Sequence, residues 1–152
     1  MILGVGIDIC EVKRLARARR RAAFARRVFD PQERRDCQAR AHPDLHFAAR
    51  FAAKEACFKA LGTGWGGGVG WTEVAVRSNP LGRPDLKLRG AVARRARTLG
   101  VTRSHLSLTH GGDYAVAVVV LEGSGAGVTR KPARKAGGKA ARGRRRNTGR
   151  RR

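Results

Sequence analysis

DLHFAARFAAKEACFKAL, residues 44–61, carries the strongest helical pattern in the chain. Its large apolar residues recur at spacings of four, seven and three, which places them on one stripe of an α-helix: Phe47, Phe51, Phe58 and Leu61. We expect that stripe to face the core. A second row of the same helix sets small residues around one acid and one base a turn apart: Ala48, Ala52, Glu55, Lys59 and Gly62. This row predicts close packing of the helix against a strand.

The N-terminal segment ILGVGIDI, residues 2–9, has the alternation of a β-strand. One face carries branched apolar residues, and the other carries Gly4, Gly6, Asp8 and Cys10. Two glycines in line ahead of one carboxylate leave room for a close approach, either by the backbone of a packed helix or by a ligand. We therefore expect Asp8 to be the first side chain that this face presents.

The rest of the chain mixes helices and strands. A basic helix is predicted over residues 11–27, broken near Arg20, and Asp30 followed by Pro31 predicts the start of another helix that runs to about Arg40. Further along the chain we predict strands at 71–77 and 86–88, a turn at 79–84, a helix at 90–99, and a hairpin of 105–109 with 114–121. Because strands and helices do not alternate regularly, an α+β fold with an antiparallel sheet and a long central helix is favoured over a doubly wound sheet.

Charge is strongly unbalanced along the 152 residues. The formal net charge is +23, from 34 Lys plus Arg against 11 Asp plus Glu, which points to an anionic partner such as nucleic acid, phosphates, an acidic protein or a membrane surface. Residues 123–152 hold 12 of the basic residues and none of the acids. Since that segment has almost no large apolar residue, we predict one folded domain over residues 1–122 and a disordered, basic Gly/Ala/Arg/Lys-rich tail over 123–152.

The spacing of the cysteines and the length of the apolar runs indicate the cellular compartment in which the protein is expected. Cys10, Cys37 and Cys57 are odd in number and contain no CxxC pair, so neither a disulfide framework nor a zinc site is predicted. No secretory signal is recognisable, and the longest apolar runs are far shorter than the roughly 20 residues of a spanning helix. We expect a cytoplasmic protein with no membrane segment.

Three features of the sequence suggest chemistry: Asp8 at a strand end, Glu55 with Lys59 on one helical face, and many basic residues. Taken singly, each has an ordinary explanation, since such an Asp is commonly a cap and such a Glu–Lys pair commonly a surface pair. The surrounding blocks are more specific: GVGIDICEVKR at 4–14, FAAKEACFKALGTG at 51–64 and LSLTHGGDYAVAVV at 106–119. Together they closely resemble the small bacterial holo-acyl-carrier-protein synthases of the phosphopantetheinyl transferase superfamily, from about Ile2 to Glu122.

The resemblance implies a fold, a reaction and a metal. The fold would be the 4'-phosphopantetheinyl transferase fold in a single-copy subunit, assembled by resemblance into a homotrimer with active sites at the interfaces. The reaction would be attack by a serine of an acidic acyl carrier protein on the β-phosphorus of coenzyme A, which releases 3',5'-ADP and serves fatty acid biosynthesis. Asp8 and Glu55 would bind Mg²⁺, and two carboxylates facing a pyrophosphate suit that cation. Lys59 would steady the leaving phosphate, and the serine proton would go to Glu55 or to a water on the metal.

The resemblance also implies two binding surfaces. Coenzyme A would contact residues spread along the chain, namely Arg50, Lys59, Gly62, Arg83, Pro84 and His110. A helix C-cap also explains Gly62, and a structural hairpin position also explains His110. The acidic carrier would dock on the first basic helix through Arg14, Arg17, Arg20 and Arg21, although a charged helical face is commonly just solvated. Gly111 departs from the family pattern, which often has Thr or an acid there.

Two rival functions remain at this point. The first is a basic nucleic-acid-binding protein that acts through its tail, although the chain is only 5% aromatic and the tail has no ring for stacking on bases. The second keeps the fold but makes the chain a non-catalytic interaction protein, or a transferase for secondary-metabolite carriers. The presence of Asp8, Glu55 and Lys59 together argues against a non-catalytic protein.

Overall fold

The computed structural model describes residues 1–64, 68–79 and 81–124. The elements in chain order are β1 (Ile2–Glu11), α1 (Val12–Arg19), α2 (Ala22–Val28), α3 (Pro31–Gln38), α4 (Pro43–Ala60), a 3-10 turn (Trp71–Glu73), β2 (Val74–Ser78), β3 (Pro84–Leu88), α5 (Gly90–Thr98), β4 (Val101–Gly111) and β5 (Tyr114–Gly123). Most of the predicted tail, residues 125–152, lies outside the described residues. No helix in the described part of the chain is long and apolar enough to cross a membrane.

The strands form two antiparallel sheets. A three-stranded sheet has the order β1-β5-β4, and β2 pairs with β3 in a separate two-stranded sheet. Helix α4 crosses the three-stranded sheet and buries Phe47, Phe58 and Leu61 almost completely, whereas Phe51 is only partly buried. The α+β prediction, with an antiparallel sheet on a long central helix, is therefore confirmed.

The glycines of β1 allow α4 to lie directly on the strand. A Cβ atom on Gly4 would stand 2.0 Å from the carbonyl oxygen of Ala60, and one on Gly6 would stand 1.9 Å from that of Ala56. Two residues along the strand therefore span about the same length as one turn of the helix, as expected from the rise per residue of each element. Of the two explanations for these glycines, close approach by a backbone is the one that the structure shows.

The opposite face of the sheet is apolar and open. Val5, Ile7 and Ile9 are 59%, 60% and 62% exposed. They pair across the sheet with Val120, Val118 and Val116, which are only partly buried. The chain thus has a continuous apolar surface on the side of the sheet away from α4.

Two local predictions are confirmed and two are wrong. The first basic helix does break near Arg20, and Asp30 caps α3 with its side chain accepting from the amide of Glu33. The strand predicted from Trp71 begins only at Val74, because Glu73 turns back to accept from the amides of Gly70, Ala91 and Val92. Pro84, predicted in a turn, starts β3 opposite Ser78, a strand position that a proline tolerates.

Replacing Gly6 with alanine tests the contact between α4 and β1. Because the added methyl would meet backbone of Ala56 and not a movable side chain, we expect G6A to lower the free energy of unfolding by about 3 kcal/mol or more in denaturant titrations followed by circular dichroism. The control is G111A, whose Cβ would have nothing within 4 Å and should cost less than about 0.5 kcal/mol. Equal unfolding midpoints for the two variants would contradict the close packing.

Candidate functional site

Asp8 lies where the glycine face of β1 first carries a side chain. Its strand partner is Ala117, and it follows Gly4 and Gly6 on the side of the sheet that faces α4. The Asp8 side chain is 16% exposed, so it is largely sheltered but reaches solvent. The same two glycines that admit the helix therefore bring this carboxylate to the flank of α4.

Glu55 and Lys59 reach the same place from α4. The Lys59 ammonium donates to Asp8 Oδ1 at 2.8 Å and to the carbonyl oxygen of Ile7 at 2.9 Å. Partial burial raises the pKa of Glu55, the negative charge of Asp8 raises it further, and the positive charge of Lys59 opposes both. Two carboxylates thus repel one another at this point, with one ammonium beside them.

These three side chains line one cleft of about 490 Å³ between β1, α1 and α4, in the size range of small-molecule sites. Arg14 stands on its wall from α1. The far part of the cleft is apolar and is formed by Leu15, Ala18, Phe24 and Phe51. Sequence reasoning placed Phe51 on the core stripe and missed this position, although its spacing of four from Glu55 puts both residues on one helical side.

Asp8 and Glu55 fit a hard divalent cation. Within the described residues there is no group of three or more His, Cys, Asp or Glu side chains that could hold a metal by themselves. Mg²⁺ commonly takes one or two protein carboxylates and completes its shell with waters and substrate phosphates. A cation between the two carboxylates would also relieve the repulsion that helps to raise the pKa of Glu55.

Arg50 lies in a different cleft. It is 5% exposed, it donates to the carbonyl oxygen of His46 at 3.3 Å, and its Nε has no partner among the described residues. This second cleft is lined by α3, α4 and β2 and contains two further arginines, Arg40 and Arg77. Nothing in the spacing of the sequence marked either of them, since they come from elements distant in the chain.

His110 and Arg50 both lie close enough to His46 to act on its pKa. Burial lowers the pKa of His46, and the nearby charges of Arg50, Arg40 and His110 act in the same direction. His110 itself is exposed near the end of β4. Neither Arg50 nor His110 lines the cleft of Asp8 and Glu55.

The remaining predicted coenzyme A contacts are also apart from the carboxylates. Gly62 follows the end of α4 with a φ of 67°, a left-handed conformation that suits a helix C-cap. Arg83 is exposed in the connection between β2 and β3, and Pro84 opens β3. None of these three residues lines the cleft of Asp8 and Glu55.

The four predicted carrier-docking arginines are all exposed on one part of the surface. Arg14 and Arg17 lie on α1, whereas Arg20 and Arg21 occupy the break before α2. Arg14 also lines the carboxylate cleft, and Arg17 lies 4.0 Å from Glu11. The basic surface therefore adjoins the cleft.

Comparison with known proteins gives consistent results. A family model described as the 4'-phosphopantetheinyl transferase superfamily matches residues 4–119. Holo-[acyl-carrier-protein] synthases of Koribacter versatilis and Nitratidesulfovibrio vulgaris are each 50% identical over 124 residues, which cover 80% of this chain and 99% of the relative.

Solved structures agree with the sequence relatives. The crystal structure of the Neisseria meningitidis holo-[acyl-carrier-protein] synthase has a TM-score of 0.74 at 35% identity, covering 80% of this chain and 99% of that one. A Chronobacterium ammoniagenes ACPS–CoA complex has a TM-score of 0.71 at 33% identity, covering 80% and 97%. The chain therefore belongs to the 4'-phosphopantetheinyl transferase superfamily.

Proposed function

We propose that this chain is a holo-acyl-carrier-protein synthase, which transfers 4'-phosphopantetheine from coenzyme A to a serine of an apo-acyl carrier protein and releases 3',5'-ADP. The observation that carries the proposal is the convergence of Asp8, Glu55 and Lys59 on one cleft, in a chain half identical to proteins with that name. Nothing in the described structure or the relatives above supports the nucleic-acid-binding alternative. The carrier is that of fatty acid biosynthesis, and the enzyme acts in the cytoplasm, where free cysteines such as its three buried ones persist.

Asp8 and Glu55 are the residues that would hold Mg²⁺. Bound there, the cation would neutralise charge on the phosphates of coenzyme A. The carboxylates contribute charge and position: Asp8 is fixed by the sheet on one side and by the Lys59 ammonium on the other. Such fixed groups suit phosphoryl transfer, in which positioning and electrostatics supply most of the catalysis.

Lys59 and Glu55 act on the reacting groups. The serine oxygen forms a bond to the β-phosphorus, the bond from that phosphorus to the bridging oxygen breaks, and 3',5'-ADP leaves with the electron pair. Lys59, half exposed beside Asp8, stabilises the negative charge of that leaving phosphate. The serine proton goes to Glu55 or to a water beside it, and the position of the serine in the cleft decides which of the two accepts it.

Coenzyme A is bound, in this proposal, by a site that two subunits share. Arg50 and His110 suit its phosphates, with Gly62, Arg83 and Pro84 as further contacts. Because Arg50 and His110 lie apart from the carboxylate cleft of their own chain, a neighbouring copy supplies them to that cleft. The open apolar face around Ile7 provides the surface for association, and closure around a threefold axis gives a homotrimer with three interfacial sites.

The accessory parts of the chain complete the proposal. The transferase unit is residues 1–122, and the tail at 123–152 is a basic appendage that binds polyanions non-specifically. The acidic carrier docks on the surface formed by Arg14, Arg17, Arg20 and Arg21, next to the cleft that Arg14 lines. Opposite charges on the two proteins would raise the rate of their encounter.

A mass-spectrometric assay tests the reaction. Incubated with apo-acyl carrier protein, coenzyme A and Mg²⁺, the protein should add one phosphopantetheine per carrier. D8N and E55Q should each lower kcat/KM by about hundredfold or more, because charge stabilisation by a metal is worth several kcal/mol. D113N, which changes an exposed aspartate paired with Lys13, is the control and should keep its activity. A carrier of unchanged mass with the wild-type protein would refute the proposed activity.

Charge reversal tests the docking surface. R14E/R21E should raise the KM for the carrier about tenfold at low salt and leave the KM for coenzyme A unchanged, because electrostatic attraction acts on the encounter with the acidic protein. R94E/R97E makes the same change of charge on exposed residues of α5 and should affect neither constant. An unchanged carrier KM in R14E/R21E would remove the docking role.

A lysine introduced on the exposed apolar face of the three-stranded sheet tests whether that face forms the trimer interface. Val5 lies on that face beside Ile7, and V5K should convert the trimer to folded monomers that lack transferase activity, because a charge resists burial in an apolar interface. Light scattering measures the mass and circular dichroism the fold. L81K, at a 92% exposed apolar residue outside that face, should remain trimeric. A fully active monomer in dilute solution would contradict the shared site.

A further inference from the structure

Lys54 is adjacent to Glu55 in the sequence but points away from the carboxylate cleft. It forms an ion pair with Glu33 of α3 at 2.8 Å, and both side chains are 0% exposed. Burial lowers the pKa of Lys54, and the neighbouring Glu33 opposes that effect. A charge pair so fully removed from water is costly to desolvate, and replacing such a pair by apolar residues is often neutral or stabilising. The attraction between Lys54 and Glu33 is therefore not sufficient to explain why a charged pair is buried here.

The contacts of the pair supply that explanation. Besides Glu33, the Lys54 ammonium donates to the carbonyl oxygens of Trp71, at 3.0 Å, and of Val74. Glu33 Oε1 accepts from the amide of Val76 at 2.9 Å, and Oε2 also accepts from the amide of Asp30 at 3.0 Å. Every ammonium hydrogen has a partner, and both carboxylate oxygens are used.

Two of these contacts fall on one edge of β2. The backbones of Glu73 and Asn79 bond to Arg89 and Arg83 on the β3 side, so by alternation Val74 and Val76 direct their N–H and C=O groups to the other side. The sheet has only two strands among the residues that the structure describes, and none of these strands pairs with β2 on that second side. Buried edge groups without partners would cost free energy. Lys54 and Glu33 bond to the edge in the place of a missing strand.

We infer that the Lys54–Glu33 pair acts as a substitute for a third strand, joining α3 and α4 to the edge of β2 and so positioning the β2–β3 hairpin for coenzyme A. The inference rests on the proposed function for the identity of the ligand. The hairpin carries Arg77, which lines the second cleft together with Arg50, and its connection carries Arg83. Lys54 is thus a positioning residue, in contrast to Lys59 five residues later in the same motif.

Two double variants distinguish hydrogen bonding to the edge of β2 from mere filling of core volume by the two side chains. Both E33M/K54M and E33Q/K54M remove the buried charges, but only the glutamine variant retains a side-chain oxygen that can accept from the amide of Val76. Hydrogen exchange at that amide, measured by mass spectrometry on peptides covering β2, should be about tenfold faster in E33M/K54M and close to wild type in E33Q/K54M, as the loss of one buried hydrogen bond predicts. Equal exchange in the two variants would overturn the inference.

Kinetics gives the functional readout. In E33M/K54M the KM for coenzyme A should rise about tenfold and the KM for the carrier should stay unchanged, whereas E33Q/K54M should be nearer to wild type in both. A merely structural role would lower the active fraction, so that kcat would fall with neither KM altered, and that result would overturn the inference. Should E33M/K54M not fold, E33D tests the same point, because its shorter side chain withdraws from Val76 and should give faster exchange and a raised coenzyme A KM. Exchange can be measured without transferase activity, so failure of the proposed function is distinguishable from failure of this inference.

Discussion

The structure depends on the direct contact between the backbone of α4 and the glycines of β1. The carbonyl oxygens of Ala56 and Ala60 lie only 1.9 and 2.0 Å from the positions that Cβ atoms on Gly6 and Gly4 would take, so helix and strand are closer than any side chain would permit. The contact fixes the register of the helix along the strand, since a shift by one residue would set a side chain against the backbone. Asp8 of the strand and Glu55 with Lys59 of the helix are consequently held together by main-chain packing, independently of their own attraction or repulsion.

A second constraint acts on the opposite side of α4. There the buried pair of Lys54 and Glu33 ties the helix to α3 and to the open edge of β2. The same helix thus carries two lysines that differ in exposure: Lys59 is half exposed beside Asp8, and Lys54 is wholly buried beside Glu33 and two backbone carbonyl groups. Because residues of α4 line both clefts, this helix sets the position of the carboxylate cleft relative to the cleft of Arg40, Arg50 and Arg77.

Sequence reasoning reached the long helix and the glycine strand, because periodicity and glycine placement are local signals with a direct structural meaning. That Asp8 and Glu55 belong to one site was implied only by the family resemblance. It did not reach the 3-10 turn at Trp71, where the cause is the side chain of Glu73 reaching the start of α5. Nor did it find Arg40 and Arg77 beside Arg50, since tertiary contacts between α3, α4 and β2 leave no periodic trace. The role of Lys54 was hidden for the same reason: its partner is 21 residues away in the chain.

The carboxylate cleft, lined by Asp8, Glu55 and Lys59, places two acids together in a strongly basic chain. The net charge of +23 would favour anions almost anywhere on the surface, yet Asp8 and Glu55 line one partly buried cleft, where the charge of Asp8 helps to raise the pKa of Glu55. Lys59 compensates only one of them by a direct contact. The packing of α4 on β1 holds the two acids in this cleft against the repulsion that remains. A site of this kind retains attraction for a divalent cation, and Arg14 on the wall of the cleft supplies a complementary attraction for the phosphates that such a cation would accompany.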